Sequence, residues 1–247
     1  MPTYLLKNIQ IVDPASSFNG QKVNLLIDEG KILDISTSGL NADKAEPIDL
    51  KGAYVSPGWI DMFCALRDPG FEHKESFDAT LNAAQAGGFT AICPVSETNP
   101  IVQNKSEIEY VKSSAKSHIV DVYPYGALTK NKEGKELTEM FDMHNVGAKG
   151  FTDGLKSLSS DVVLRSLQYV RQFGGLVLDF PDDKSISAHT SMHEGFVSVG
   201  LGLKGSPDIA EVLGVYKAIA LLEYTTSKIH LSHISSASSI ELIRKAK

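Results

Sequence analysis

Cysteine and tryptophan are scarce in this 247-residue chain, with two of the first, Cys64 and Cys93, and one of the second, Trp59. Neither cysteine belongs to a Cys-x-x-Cys pair or a mixed Cys/His array, which removes structural zinc of the finger kind. Both lie in apolar, strand-like runs and read as buried free thiols of a reducing compartment. Positive charge is also short. Lys and Arg number 24 against 30 Asp and Glu, a formal net charge of −6, and no expected face gathers the basic residues. That balance excludes a nucleic-acid footprint. No apolar stretch is long enough to span a bilayer, and residues 1–14 lack the basic-then-apolar order of a secretory leader. The expectation is a cytoplasmic protein without membrane contact. Missing too are a Gly-x-Ser-x-Gly elbow, a Walker loop, a Rossmann glycine fingerprint, internal repeats and low-complexity linkers.

What remains has ordinary globular proportions, 42% hydrophobic and 22% charged residues. Residues 1–55 read as short strands at 5–12, 22–27, 31–36 and 48–55, with Asp28-Glu29-Gly30 as a hairpin signal. After Pro57 the pattern changes. Strand-like runs at 59–66, 89–95, 119–125, 148–152, 176–180 and 228–234 alternate with helix-like runs at 76–86, 104–117, 136–145, 160–173 and 208–226. Gly87-Gly88 and Gly174-Gly175 each stop a helix just before a strand, where a left-handed cap favours glycine. Such alternation predicts an α/β fold with a parallel sheet, the start of a (β/α)8 TIM-type barrel. About six of eight strands are visible, so residues 56–247 are expected to form an incomplete barrel whose C-terminal part is missing from this chain.

The run from Val55 to Gly70 organises the rest. Pro57-Gly58 turns the chain into a strand, and Pro69-Gly70 turns it out. On that strand Asp61, Phe63, Ala65 and Arg67 share one face, and Met62, Cys64 and Leu66 the other. The frame Pro57-Gly58-Trp59-Ile60-Asp61 followed by Leu66-Arg67-Asp68-Pro69-Gly70 resembles the first barrel strand of dihydroorotases in the amidohydrolase superfamily. A second stretch carries the same resemblance: Met192-His193-Glu194-Gly195, then Leu201-Gly202-Leu203-Lys204-Gly205-Ser206-Pro207-Asp208-Ile209-Ala210-Glu211. The likeness extends from about Tyr4 to Lys247, and it implies a small β-sandwich segment over 1–55 ahead of a metal-dependent-hydrolase-like barrel.

The resemblance also implies catalytic zinc, held by a His-x-His pair on the first strand. Phe63 and Ala65 stand at those two places, and neither has a donor atom. At the end of the fourth strand Gly147-Ala148-Lys149-Gly150-Phe151-Thr152-Asp153-Gly154 is similar to a family segment ending Ser-Asp-Asp-Gly. Asp153 matches the first aspartate, a metal contact in one branch, and Gly154 replaces the second. Lys149 shares Asp153's face, but stands early for the carboxylated lysine of other branches. On the fifth strand Asp179 replaces a histidine ligand. On the sixth, His230-Leu231-Ser232-His233-Ile234-Ser235-Ser236-Ala237 matches the family's His-x-x-His-Val-Ser-Thr-Ala, with His233 at the metal position. His193 reads as structural. Arg67 matches an arginine that grips the substrate carboxylate, a task suited to a bidentate guanidinium; its structural alternative is an ion pair with Asp61 or Asp68. Glu97 stands where a substrate-holding asparagine belongs, and a carboxylate there repels an anionic substrate.

Two functions follow. One is a dihydroorotase-like pseudoenzyme of pyrimidine biosynthesis with a structural or regulatory role, holding no metal or one weakly held ion. It would assemble as a homo-oligomer and with aspartate carbamoyltransferase. The other is an active cyclic-amide hydrolase using a mononuclear site built from Asp153, Asp179 and His233.

Overall fold

Residues 2–42 and 44–247 are described by a computed structural model, and they divide into two compact units, 1–59 and 60–247. In the first, β1 (Tyr4–Ile11), β2 (Lys22–Asp28), β3 (Lys31–Ser36), β4 (Glu46–Asp49) and β5 (Tyr54–Val55) form one sheet. Its order is β3-β2-β1-β4, with β5 also on β1. The β1–β2 and β2–β3 pairs are antiparallel, and β4 and β5 run parallel to β1. Glu29 and Gly30 both have positive φ at the β2–β3 turn, as a tight hairpin of this hand requires. Ile9, Ile11, Val23 and Leu25 are the buried centre. The expected strand at 48–55 is two strands. Lys51 and Gly52 take positive φ between them, and Gly52 N–H donates to Asn8 O beside the irregularity in β1.

The second unit alternates strand and helix. Its elements begin with β6 (Trp59–Ala65), α1 (Phe77–Ala86), β7 (Phe89–Val95), α2 (Lys105–Ala115), β8 (Asp121–Val122) and β9 (Tyr125–Gly126). Next come α3 (Met140–Asn145), β10 (Gly150–Phe151), α4 (Ser160–Arg171), β11 (Val177–Asp179) and α5 (Lys184–Ser187). The unit closes with β12 (Met192–His193), α6 (Phe196–Leu201), β13 (Gly205–Ser206), α7 (Asp208–Thr225), β14 (Ile229–Leu231) and α8 (Ala237–Ala246). Strands order as β6-β7-β8 and β9-β10-β11-β14, and β7–β8, β9–β10, β10–β11 and β11–β14 are parallel. One strand was expected over 119–125. Pro124 has no N–H for a ladder, so the run breaks into β8 and β9. The helix expected at 136–145 shortens to α3, because residues 129–138 fold back as a hairpin-like loop, bridged between Thr129 and Leu137.

Two buried clusters show why the strands alternate. Val177, Phe151, Ile92 and Leu66 pack with α2 and α4 side chains such as Ile108, Val163 and Leu167. Cys93, Val95, Tyr125 and Leu178 pack on the other face, joined by Phe63. One face of each strand therefore meets the helix layer, and the other lines the inside of the strand wall. β9, β10, β11 and β14 run the same way, so the loops after them emerge at one end. That end carries the candidate site.

Candidate active site

The first strand sends Phe63 inward and Cys64 and Leu66 toward the main cluster, as the period of two requires. Phe63 meets His233 edge-on, with ring centroids 4.5 Å apart at 82°. Phe180, just past β11, approaches the same imidazole at 6.0 Å. His233 is exposed and adopts φ 57°, in the left-handed region. Two aromatic rings thus flank the one histidine kept at an expected ligand position. Burial pushes the Cys64 thiol up to about 12, so it stays protonated and is no nucleophile at neutral pH. Cys93 is raised by burial as well.

Asp153 is 3% exposed and turned toward the loop after β9. Its Oδ1 accepts from Leu128 N at 3.0 Å and Thr129 N at 2.9 Å, and its Oδ2 from the Thr129 hydroxyl. Both oxygens are occupied in tying the third strand's end to the fourth. Asp179 is 2% exposed and shares the parity of Val177, which packs in the helix-side cluster, while Leu178 faces inside. Its Oδ2 has no hydrogen-bond partner among the described residues. Burial holds the Asp179 carboxyl above the usual carboxylate range, against the pull of Lys217 on α7. Asp153, Asp179 and His233 are therefore not brought together. Among the described residues no three of His, Cys, Asp or Glu gather closely enough to hold a metal ion. The donor set does not fit the zinc centre that the resemblance implies, because one carboxylate is spent on backbone, one faces away, and the imidazole lies against hydrocarbon.

Arg67 is half-buried, and neither suggested carboxylate pairs with it. Asp61 accepts from Phe63 N at 2.9 Å, and Asp68 from the Tyr110 hydroxyl at 2.6 Å. Glu97 is paired instead with Lys132, Oε1 to Nζ 3.4 Å. Lys149 lies over the Tyr123 ring at 5.7 Å, before β10 and so at the opposite end from Asp153.

A cleft of about 330 Å³ opens beyond the ends of β11 and β14, beside the start of α7, lined by Phe180, His193, Ser206, Asp208, Glu211 and His233 among others. His193 lies 3.6 Å from Asp208 at the start of α7, with both side chains exposed. Glu211 is a residue whose part the sequence did not disclose. From α7 it accepts from Ser235 N and Ser236 N, both at 2.9 Å, and from the Ser235 hydroxyl at 2.6 Å, capping α8. Its only signal was the Ala-Glu pair that ends the second stretch of resemblance. Burial pushes the Glu211 carboxyl up, but these hydrogen bonds outweigh it and hold it below the usual range.

Comparison with known proteins places these observations. A family model described as dihydro-orotase-like matches residues 52–239. A dihydroorotase of Pelotomaculum thermopropionicum is 40% identical over 244 residues, covering 98% of this chain and 57% of its own length. One from Syntrophotalea carbinolica is 38% identical over 245 residues with the same coverage. The chain thus spans a little over half the length of the curated relatives it matches. Among solved structures, an L-hydantoinase from Arthrobacter aurescens superposes with a TM-score of 0.77 at 21% identity, covering 100% of this chain and 56% of the other. A D-hydantoinase gives 0.70 at 23%, covering 99% and 55%. At those identities the likeness speaks for the fold, an α/β barrel of the TIM type.

Proposed function

This chain belongs to the dihydroorotase-like family, and on that premise we propose that it is a member that keeps the barrel without metal-dependent ring opening. Its role is structural or regulatory in pyrimidine biosynthesis, as a self-associating partner of aspartate carbamoyltransferase. One observation carries the reading. Where the family resemblance calls for an imidazole on the first strand, the Phe63 ring lies against His233 at 4.5 Å. Amidohydrolase chemistry depends on a metal that lowers the pKa of its bound water. A hydrocarbon ring cannot coordinate one. Asp153, already committed to three donors, offers no replacement.

The test uses the full-length protein. Elemental analysis after purification is expected to find well under one metal per chain, and dihydroorotate hydrolysis with added zinc is expected to stay at the no-enzyme rate. One bound zinc together with turnover would overturn the proposal in favour of a mononuclear cyclic-amide hydrolase. The partnership is checked separately by co-purification with the carbamoyltransferase and by light scattering of the isolated protein.

A further inference from the structure

Glu97 follows β7, and Lys132 comes from the loop after β9. The loop reaches across by an unusual route: Asn131 and Lys132 take consecutive positive φ values of 52° and 56°, which side chains with a Cβ adopt at a cost. Several bonds hold them there. Lys130 N donates to Glu136 O at 2.8 Å, Asn131 N to Gln103 Oε1 at 2.7 Å, and Lys156 Nζ to Lys132 O at 2.6 Å. Gly134 N donates to the Thr129 hydroxyl at 2.8 Å, and that hydroxyl donates to Asp153. The fourth-strand carboxylate therefore anchors the root of a loop whose lysine meets the second-strand acid. Gly154 completes the arrangement. Its φ is +73°, and a Cβ there would lie 3.0 Å from Glu97 Oε1 and 3.3 Å from Lys132 Nζ. The ion pair fills the space that a side chain at position 154 would need.

We propose that Lys132 is a bracing residue of this barrel mouth: paired with Glu97 over Gly154, it ties the ends of β7, β9 and β10 together. The Lys132 side chain is 19% exposed and that of Glu97 37%, so the lysine end of the pair is shielded while the carboxylate end stays open to solvent. In the full-length protein, Lys132→Met and Glu97→Gln are each expected to lower Tm by about 3 °C. The double variant loses no more than the worse single one, because both remove the same contact. Amide exchange at 96–98 and 128–134 speeds up together, about tenfold, in either single variant. Lys132→Arg keeps the charge and retains the protection. Additive losses, or faster exchange confined to the mutated loop, overturn the brace.

Discussion

A buried carboxylate costs stability unless donors meet its oxygens, and Asp153 and Asp179 stand on opposite sides of that rule. Asp153 has three donors. Asp179 leaves Oδ2 bare, and burial raises its pKa above the ordinary 3.8. The fold therefore holds a proton on Asp179 more tightly than the unfolded chain does. Its contribution is most favourable below the unfolded value and declines as pH rises through the folded one. Asp179→Asn removes that penalty. Urea unfolding should show the variant about 1 kcal/mol more stable at pH 7, with the advantage shrinking as pH is lowered toward 4. An unchanged or lower stability at pH 7 would refute this account. Sequence reasoning found both aspartates because each stands where the family resemblance places a metal ligand. It could not see which way they face: a three-residue strand sends Val177 and Asp179 together toward the helices, and only packing reveals that side.

At the scale of elements, α7 and α8 show a connection made through one side chain. Ser236, the N-cap of α8, makes no side-chain capping bond, and Glu211 from α7 satisfies the backbone at that end instead. A carboxylate there also meets the positive end of the helix dipole. Glu211→Ala is expected to cost about 1–2 kcal/mol, read by chemical denaturation, and to speed amide exchange in the first turn of α8. A loss spread evenly over the unit, without that local change, would argue against capping. Glu211 is held below the ordinary 4.5, so its contribution is present above that value and fades as pH falls through the depressed one. By contrast, α2 announced its own start. Asn104 and Glu107 form a capping box within four residues, a local pattern needing no tertiary partner.

Across the whole molecule, acid should act before the carboxylates titrate. His230, on β14, is partly buried, and desolvation lowers its pKa from 6.5. The unfolded chain binds that proton first, so stability falls as pH drops below about 6.5 and levels off below the folded value. A His230→Gln variant is expected to flatten the pH dependence of Tm between pH 7 and 5; an identical slope would contradict this. The larger architecture was legible in the sequence because strand–helix alternation, glycine stops and the two long stretches of family likeness are local features. Loss of donor atoms at 63 and 65 was equally plain. Sequence alone determined the α/β barrel class and the missing first-strand imidazoles, since both depend on residue type and spacing. Tertiary structure decided what each side chain meets: the Phe63 ring on His233, Asp153 on the loop after β9, and the Lys132–Glu97 pair over Gly154. Those contacts join residues 24 to 170 positions apart, and no spacing rule specifies which partner a side chain meets once several strand ends converge.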